Sequence, residues 1–203
     1  MGSTRMSKKR IVITGLGMVS PLGNTVTDNW NNLLAGVSGI GPVTRFDASN
    51  LACQIAGEVK DFDITQYIPA KEARRMDVFI HYGIAAAFQA SEDAGLDNIE
   101  GLDKTRVGVN IGAGIGGLPS IEATGADVIA GGIRKINPFF IPGSLINLIA
   151  GHVTIMKGYQ GPSYGIVSAC TTGAHCIGDA ARMIAYGDAD IMIAGGAECT
   201  MSP

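Results

Sequence analysis

Four short stretches of the chain, residues 10–14, 106–111, 165–168 and 190–194, are apolar and largely β-branched with almost no alternation. A strand with one wet face alternates apolar and polar residues. A strand that does not alternate is covered on both faces, as in a parallel sheet flanked by helices. The segments between supply those helices. Residues 27–35 offer Thr27 as an N-cap, Asp28 in the first turn, Trp30, Leu33 and Leu34 at helical spacing, and Gly36 as a stop. Residues 76–94 carry Val78, Phe79, Tyr82, Ile84, Ala85 and Phe88 and close on Gly95. Residues 145–156 read as an apolar helix with one polar edge. Residues 171–186 form another, whose Gly173, Ala174, Gly178, Ala180 and Ala181 permit close packing. Strand and helix in alternation predict an α/β fold.

Composition narrows what such a fold does. The 203 residues are 46% hydrophobic and 16% charged, which excludes disorder as the main state. A net charge of -3 leaves no electrostatic footprint for nucleic acid, and no long uninterrupted apolar run suggests a membrane span. Cys53, Cys170, Cys176 and Cys199 lack the paired spacing of a zinc site, so no metal is expected. With no secretory signal ahead of them, a reduced, cytoplasmic setting is the expectation. Residues 1–5 (MGSTR) read as an expression scar before a start at Met6, leaving 6–203 as one domain.

The chemistry concentrates at Cys170. The segment YGIVSACTTGAHCI, residues 164–177, reads as a strand that turns at Ser168 and Ala169 and opens a helix at the cysteine. Unpaired N–H groups and the helix dipole favour negative charge there, so the thiolate is stabilised and a nucleophile results. A small buried hydrophobe is the competing role for a free cysteine. His175 is five residues on, about 140° round a helix axis, and does not share the thiol's face. It is expected on the helix surface. His81 and His152 are not placed beside the thiol by spacing either.

Two further features have competing readings. The run GAGIGG, residues 112–117, matches the GxGxxG dinucleotide fingerprint. That reading needs a helix opening at the last glycine and a carboxylate ending the next strand about 20 residues on. Pro119 and Glu122 suit the helix. However, Asp127 falls inside it, and Gly131-Gly132 breaks the chain where the next strand should begin. The other reading is close passage of this backbone past another backbone or a ligand chain, with Ile115 as the one bulky side chain. Lys71, Arg74 and Arg75 lie on or beside one side of a helical turn, as either a solvated face or a docking patch.

Six segments together carry a resemblance: IVITGLGMVSPLGN (11–24), KEARRMDVFIHYG (71–83), GAGIGG (112–117), INPFFIPGSLINLIAGH (136–152), SACTTGAHCIG (168–178) and AYGDADIMIAGGAE (185–198). In order and spacing the chain resembles the 3-oxoacyl-[acyl-carrier-protein] synthases, most closely those of bacterial type II fatty-acid elongation. The resemblance implies a thiolase-like fold, with this chain as the N-terminal βαβαβαββ half of a five-layered αβαβα sandwich. It implies Cys170 as the residue that takes an acyl group from acyl carrier protein, with its own backbone N–H as an oxyanion donor. Ile115 would gate the acyl pocket, Phe140 would close its far end across a homodimer interface, and Ala169 would shape the wall beside the thiol. Lys71, Arg74 and Arg75 would meet the acidic carrier protein, and no cofactor is implied. The family's two catalytic histidines, its nearby lysine and a second oxyanion N–H belong to a second half, so a longer parent enzyme is expected. A non-catalytic synthase scaffold is the alternative, but such scaffolds usually replace the nucleophile that this sequence keeps.

Overall fold

Six consecutive buried residues, β3 (Val107–Gly112), form the middle of a three-stranded parallel sheet, between β4 (Ser163–Tyr164) and β5 (Ile191–Gly196), in a computed structural model that describes residues 10–203. The expected expression scar lies outside the described residues. β5 (Ile191–Gly196) pairs with β3 along its whole length, from Val107 opposite Ile191 to Gly112 opposite Gly196. β4 (Ser163–Tyr164) pairs only at Val109 and Asn110. Side chains alternate across a strand, so β3 serves two faces. Val107, Val109 and Ile111 join the core cluster of Ile80, Ile84, Ile149 and Val153, contributed by α3 (Val78–Asp93) and α6 (Leu148–Lys157). Asn110 and Gly112 face α7 (Thr172–Tyr186): Asn110 Nδ2 donates to the Cys176 carbonyl at 3.3 Å, and Gly112 lies against Thr172. Both faces are covered, as the non-alternating strands require. Each large apolar side chain buried in this way contributes about 1.5–3 kcal/mol.

The remaining elements are α1 (Val26–Leu34), a hairpin of β1 (Ile40–Pro42) and β2 (Ile55–Gly57), α2 (Ala70–Ala73), α4 (Leu118–Gly131) and α5 (Phe140–Ser144). Asp77 ties two of them, α4 and α5, to α3 in the core. Its Oδ1 accepts from Phe79 N at the start of α3, its Oδ2 accepts from Ser120 N at 3.0 Å in α4, and its own N–H donates to Gly143 of α5.

Several sequence expectations shift. The first helix is capped by Thr25 rather than Thr27, because Thr25 Oγ1 accepts from Asp28 N at 3.1 Å and starts the helix earlier. Residues 10–14 do not enter a ladder. They lie beside β5 and α7, and the adjoining segment is fastened to α3 by Leu16 N donating to Asp93 Oδ2 and Met18 N donating to Gln89 Oε1. Contact there is close enough to demand glycine: a Cβ at Gly17 would sit 1.8 Å from the Ala86 carbonyl oxygen. None of residues 165–168, expected as a strand, enters the ladder; β4 is confined to the two residues before them, Ser163–Tyr164, because the chain leaves the ladder to build the turn before Cys170. Among the described residues no helix is long and apolar enough to cross a membrane.

One prediction arises from α6. His152 Nε2 is buried with no hydrogen-bond partner, and burial lowers the imidazole pKa, opposed only by the charge of Glu72. Folded His152 therefore resists protonation while the unfolded chain does not. The unfolded state binds the extra proton as pH falls through the ordinary imidazole range, so stability drops there and is level above it. Urea unfolding at about pH 5.5 and about pH 7.5 should show this loss, and His152→Gln should reduce it.

Candidate active site

The turn before α7 is the most strained backbone near the sheet. Ser168 adopts φ -150° and ψ 44°, and Ala169 adopts φ 52°, a left-handed conformation that costs a residue with a Cβ about 1–2 kcal/mol. Three hydrogen bonds hold it. Ser168 N donates to Thr172 Oγ1 at 2.9 Å, Thr171 N donates to the Ser168 carbonyl at 3.2 Å, and Ser168 Oγ meets His175 Nδ1 at 2.7 Å. Ala169–Thr171 then form one tight turn that leads into α7. Cys170 sits in that turn, exposed, at the positive end of the helix. Cys176 is the opposite case: it is fully buried six residues later, and burial raises its thiol pKa.

Cys170 faces an open hollow of about 550 Å³. Its walls are the elbow at Ala169, the glycine run with Ile115, and Gly196, Ala197, Glu198 and Thr200 at and just after the end of β5. Ile115 is 53% exposed at its edge. Close backbone contacts shape the floor: a Cβ at Gly112 would sit 2.0 Å from the Ile166 carbonyl oxygen, and one at Gly114 would sit 3.1 Å from Ala169 Cα. Glu198 closes one side. Its Oε2 accepts from Ile115 N at 2.7 Å and its Oε1 from Gly116 N at 3.1 Å.

That carboxylate decides the glycine run. α4 opens directly after Gly117, as a dinucleotide fingerprint would require. The N–H groups of Ile115 and Gly116 are nevertheless already taken by an anion from the chain itself. From α4 to β4 the chain is helical, with no intervening strand to end in a ribose-binding carboxylate. The run is a close-packed turn, and the dinucleotide reading falls.

The expected site residues divide into two groups. Cys170, Ala169 and Ile115 share the hollow. Phe140 does not line it; it is half-buried on α5, beside a separate cavity of about 210 Å³ that Arg74, Arg75, Asp77 and Ser120 also line. Lys71 and Arg74 are exposed on and just after α2. Arg75 is committed elsewhere, paired with Glu72 at 3.1 Å and lying 4.5 Å over the Phe139 ring. Among the described residues no histidine lines the hollow. His81 Nε2 contacts the Ala73 carbonyl at 2.8 Å, and His175 is a surface residue, as its spacing predicts. Its bond to Ser168 lies outside what spacing predicts, because Ser168 precedes the helix and helical angles do not describe it. Glu198 is likewise absent from the expected set. Its signal in the sequence is a lone carboxylate directly after the strand-ending GGA.

The N-terminal domain of the beta-ketoacyl synthases matches residues 8–203. The chain belongs to that family. Curated relatives named 3-oxoacyl-[acyl-carrier-protein] synthase 2 are similar throughout: that of Vibrio harveyi is 54% identical over 198 residues, covering 98% of this chain and 48% of the relative. The protein of that name from Synechocystis sp. is 46% identical over 98% of this chain and 47% of its own length. This chain thus spans about half the length of the curated relatives it matches.

Solved beta-ketoacyl synthases have the same fold. One from Burkholderia phymatum superposes with a TM-score of 0.80 at 28% identity, covering 94% of this chain and 47% of its own. A ketosynthase in complex with its type II polyketide acyl-carrier protein gives 0.81 at 28% identity, covering 97% and 53%. The α/β, thiolase-like architecture expected of a beta-ketoacyl synthase is therefore present, with Cys170 at its strand-to-helix elbow.

Proposed function

We propose that the complete gene product is a condensing enzyme of type II fatty-acid elongation, joining acyl-ACP and malonyl-ACP into 3-oxoacyl-ACP with release of carbon dioxide and ACP. The observation that carries this reading is an exposed cysteine on a strained elbow, facing an open hollow edged by Ile115. In the first step the Cys170 sulfur attacks the acyl thioester carbonyl. A carbon–sulfur bond forms to Cys170, and the carrier's pantetheine thiolate leaves and takes up a proton. The carbonyl oxygen gathers charge as this happens, and the Cys170 N–H stabilises it. In the second step the malonyl group loses carbon dioxide, its carbanion attacks the Cys170 thioester, and the Cys170 thiolate is released. The name shared by the curated relatives supports this chemistry.

In this reading Ile115 gates the acyl pocket, Ala169 shapes its wall, and Phe140 closes its far end from across a homodimer interface in the cytoplasm. The separation of Phe140 from the hollow within one chain accords with its service to a second copy. Carrier protein docks on Lys71, Arg74 and Arg75. Intact mass after incubation with acyl-ACP tests the proposal: one acyl group should add at Cys170, and malonyl-ACP should then discharge it as 3-oxoacyl-ACP. Absence of the adduct overturns it.

Docking makes a separate prediction. Arg75 is held by Glu72 and Phe139, so charge reversal at Lys71 and Arg74 is the cleaner probe. Complementary rim charges act mainly on encounter rate. Lys71→Glu with Arg74→Glu should slow acyl transfer from carrier protein about tenfold and leave transfer from a small acyl thioester within about twofold. Equal loss on both donors sinks the docking role.

A further inference from the structure

Among the described residues, Glu198 is the side chain whose charge reaches into the turn that carries Ile115. It leaves the end of β5, where Ala197 N donates to the Gly112 carbonyl at 3.0 Å, and crosses to the neighbouring strand's exit. There its two oxygens take the N–H groups of Ile115 and Gly116 at 2.7 and 3.1 Å. The far side of the turn is held by backbone alone, Gly117 N donating to the Ser144 carbonyl at 3.1 Å. The turn has little freedom elsewhere. Gly116 sits at φ 84°, and neighbours leave no room for side chains: a Cβ at Gly114 would lie 3.1 Å from Ala169 Cα, one at Gly116 2.8 Å from Ile146 Cγ1, and one at Gly117 2.6 Å from Ser144 Cβ. Glu198 also stands between two cavities, lining the Cys170 hollow of about 550 Å³ and a neighbouring one of about 510 Å³ that includes Arg45, Glu58 and Tyr82. Position, charge and bonds therefore converge on one carboxylate beside the exposed Ile115 side chain.

We propose that Glu198 is a positioning residue that latches the Ile115 turn at the mouth of the Cys170 hollow and thereby sets which acyl chain lengths enter it. The chain-length part rests on the acyl-thioester reading above; the latch itself does not. The carboxylate suits the task because both oxygens accept, matching two successive N–H groups. In Glu198→Gln one oxygen becomes an NH₂ group, a donor facing a donor, so one of the two bonds is lost. The freed turn lets Ile115 swing away from the mouth, which favours long chains over short ones.

The test uses Glu198→Gln and Glu198→Ala in the complete gene product, with two readouts. Amide hydrogen exchange at Ile115 and Gly116 should speed up about fivefold or more, because bonds to a charged acceptor are the stronger class and their loss lowers the cost of local opening. Acyl transfer to Cys170 from hexadecanoyl and butanoyl carrier protein gives the second. The long-to-short ratio should rise about threefold or more, beyond any change in iodoacetamide labelling of Cys170, since a gate discriminates by differential access. Unchanged exchange at the two amides overturns the latch. Faster exchange with an unchanged ratio overturns its role in chain length. A wild-type protein that forms no acyl-Cys170 refutes the acyl-transfer reading and the chain-length role with it, while the exchange result still decides the latch.

Discussion

Cys170→Ala is expected to abolish the proposed acyl-enzyme and to lower the proposed condensation by at least about a thousandfold, the scale at which a covalent nucleophile's removal is felt. The fold should not register the change. Cys170 is exposed, the elbow's three hydrogen bonds all begin from Ser168, Thr171, Thr172 and His175, and surface truncations usually stay within about 0.5 kcal/mol. Circular dichroism and urea unfolding should therefore overlay the wild type while the mass adduct disappears. The other cysteines supply internal controls. Cys176 and Cys199 are buried, and burial raises the Cys176 pKa, so brief iodoacetamide treatment of the native protein should spare both. Cys53 is exposed and should label with or without Cys170, but it lies outside the hollow and should carry no acyl group. An acyl adduct that survives Cys170→Ala would transfer the nucleophile's role elsewhere.

Gly112→Ala is the second large effect, and it acts through the backbone. Gly112 ends β3, and its added methyl would sit 2.0 Å from the Ile166 carbonyl oxygen and 2.7 Å from Thr172 Cγ2. Neither neighbour is free to give. Ile166 is on the path from β4 to the elbow, and Thr172 is buried and holds Ser168 N. Overpacking against fixed backbone should cost about 3 kcal/mol or more. Moving the Ile166–Ser168 stretch should also displace Cys170, so acylation should fall more than the folded fraction does. Gly178→Ala is the matched control. Apart from the adjoining backbone of its own helix, nothing lies within 4 Å of its new methyl, it is inside α7, and removing glycine from a helix interior should add about 0.5–1 kcal/mol of stability. Urea midpoints that move in opposite directions for the two variants are the expected result. Equal shifts would show that the close approach at Gly112 carries no weight.

The features legible in the sequence are those that depend on neighbours along the chain. The apolar period of residues 76–94 gives α3 to within two residues, and the turn at Ser168–Ala169 before Cys170 is where φ becomes positive. Ile115 stands out in the sequence as the glycine run's only bulky group, but its place beside the thiol, 55 residues away, comes from the family resemblance and not from its neighbours along the chain. Long-range pairings are not legible. Glu198 meets Ile115 across 83 residues of sequence, and no local rule signals such a contact. The β1–β2 hairpin escapes sequence reading because strands of three residues, with Gly41 and Pro42 in one of them, carry no period to detect. The run at residues 10–14 has strand composition, yet strand composition does not supply a ladder partner.

The central pairing of β3 with β5 has a consequence for the order in which the protein is made. Arg106 and Asp190, the ion pair at the head of these strands, are 84 residues apart, so their meeting is a non-local event of the kind that slows folding. On the ribosome, β3 waits with its β5 edge open while four helices and β4 are synthesised. Such waiting strands invite wrong partners and chaperone attention. The hollow beside Cys170 needs Gly196, Ala197 and Glu198 for its wall, so the thiol stays unhoused until β5 arrives.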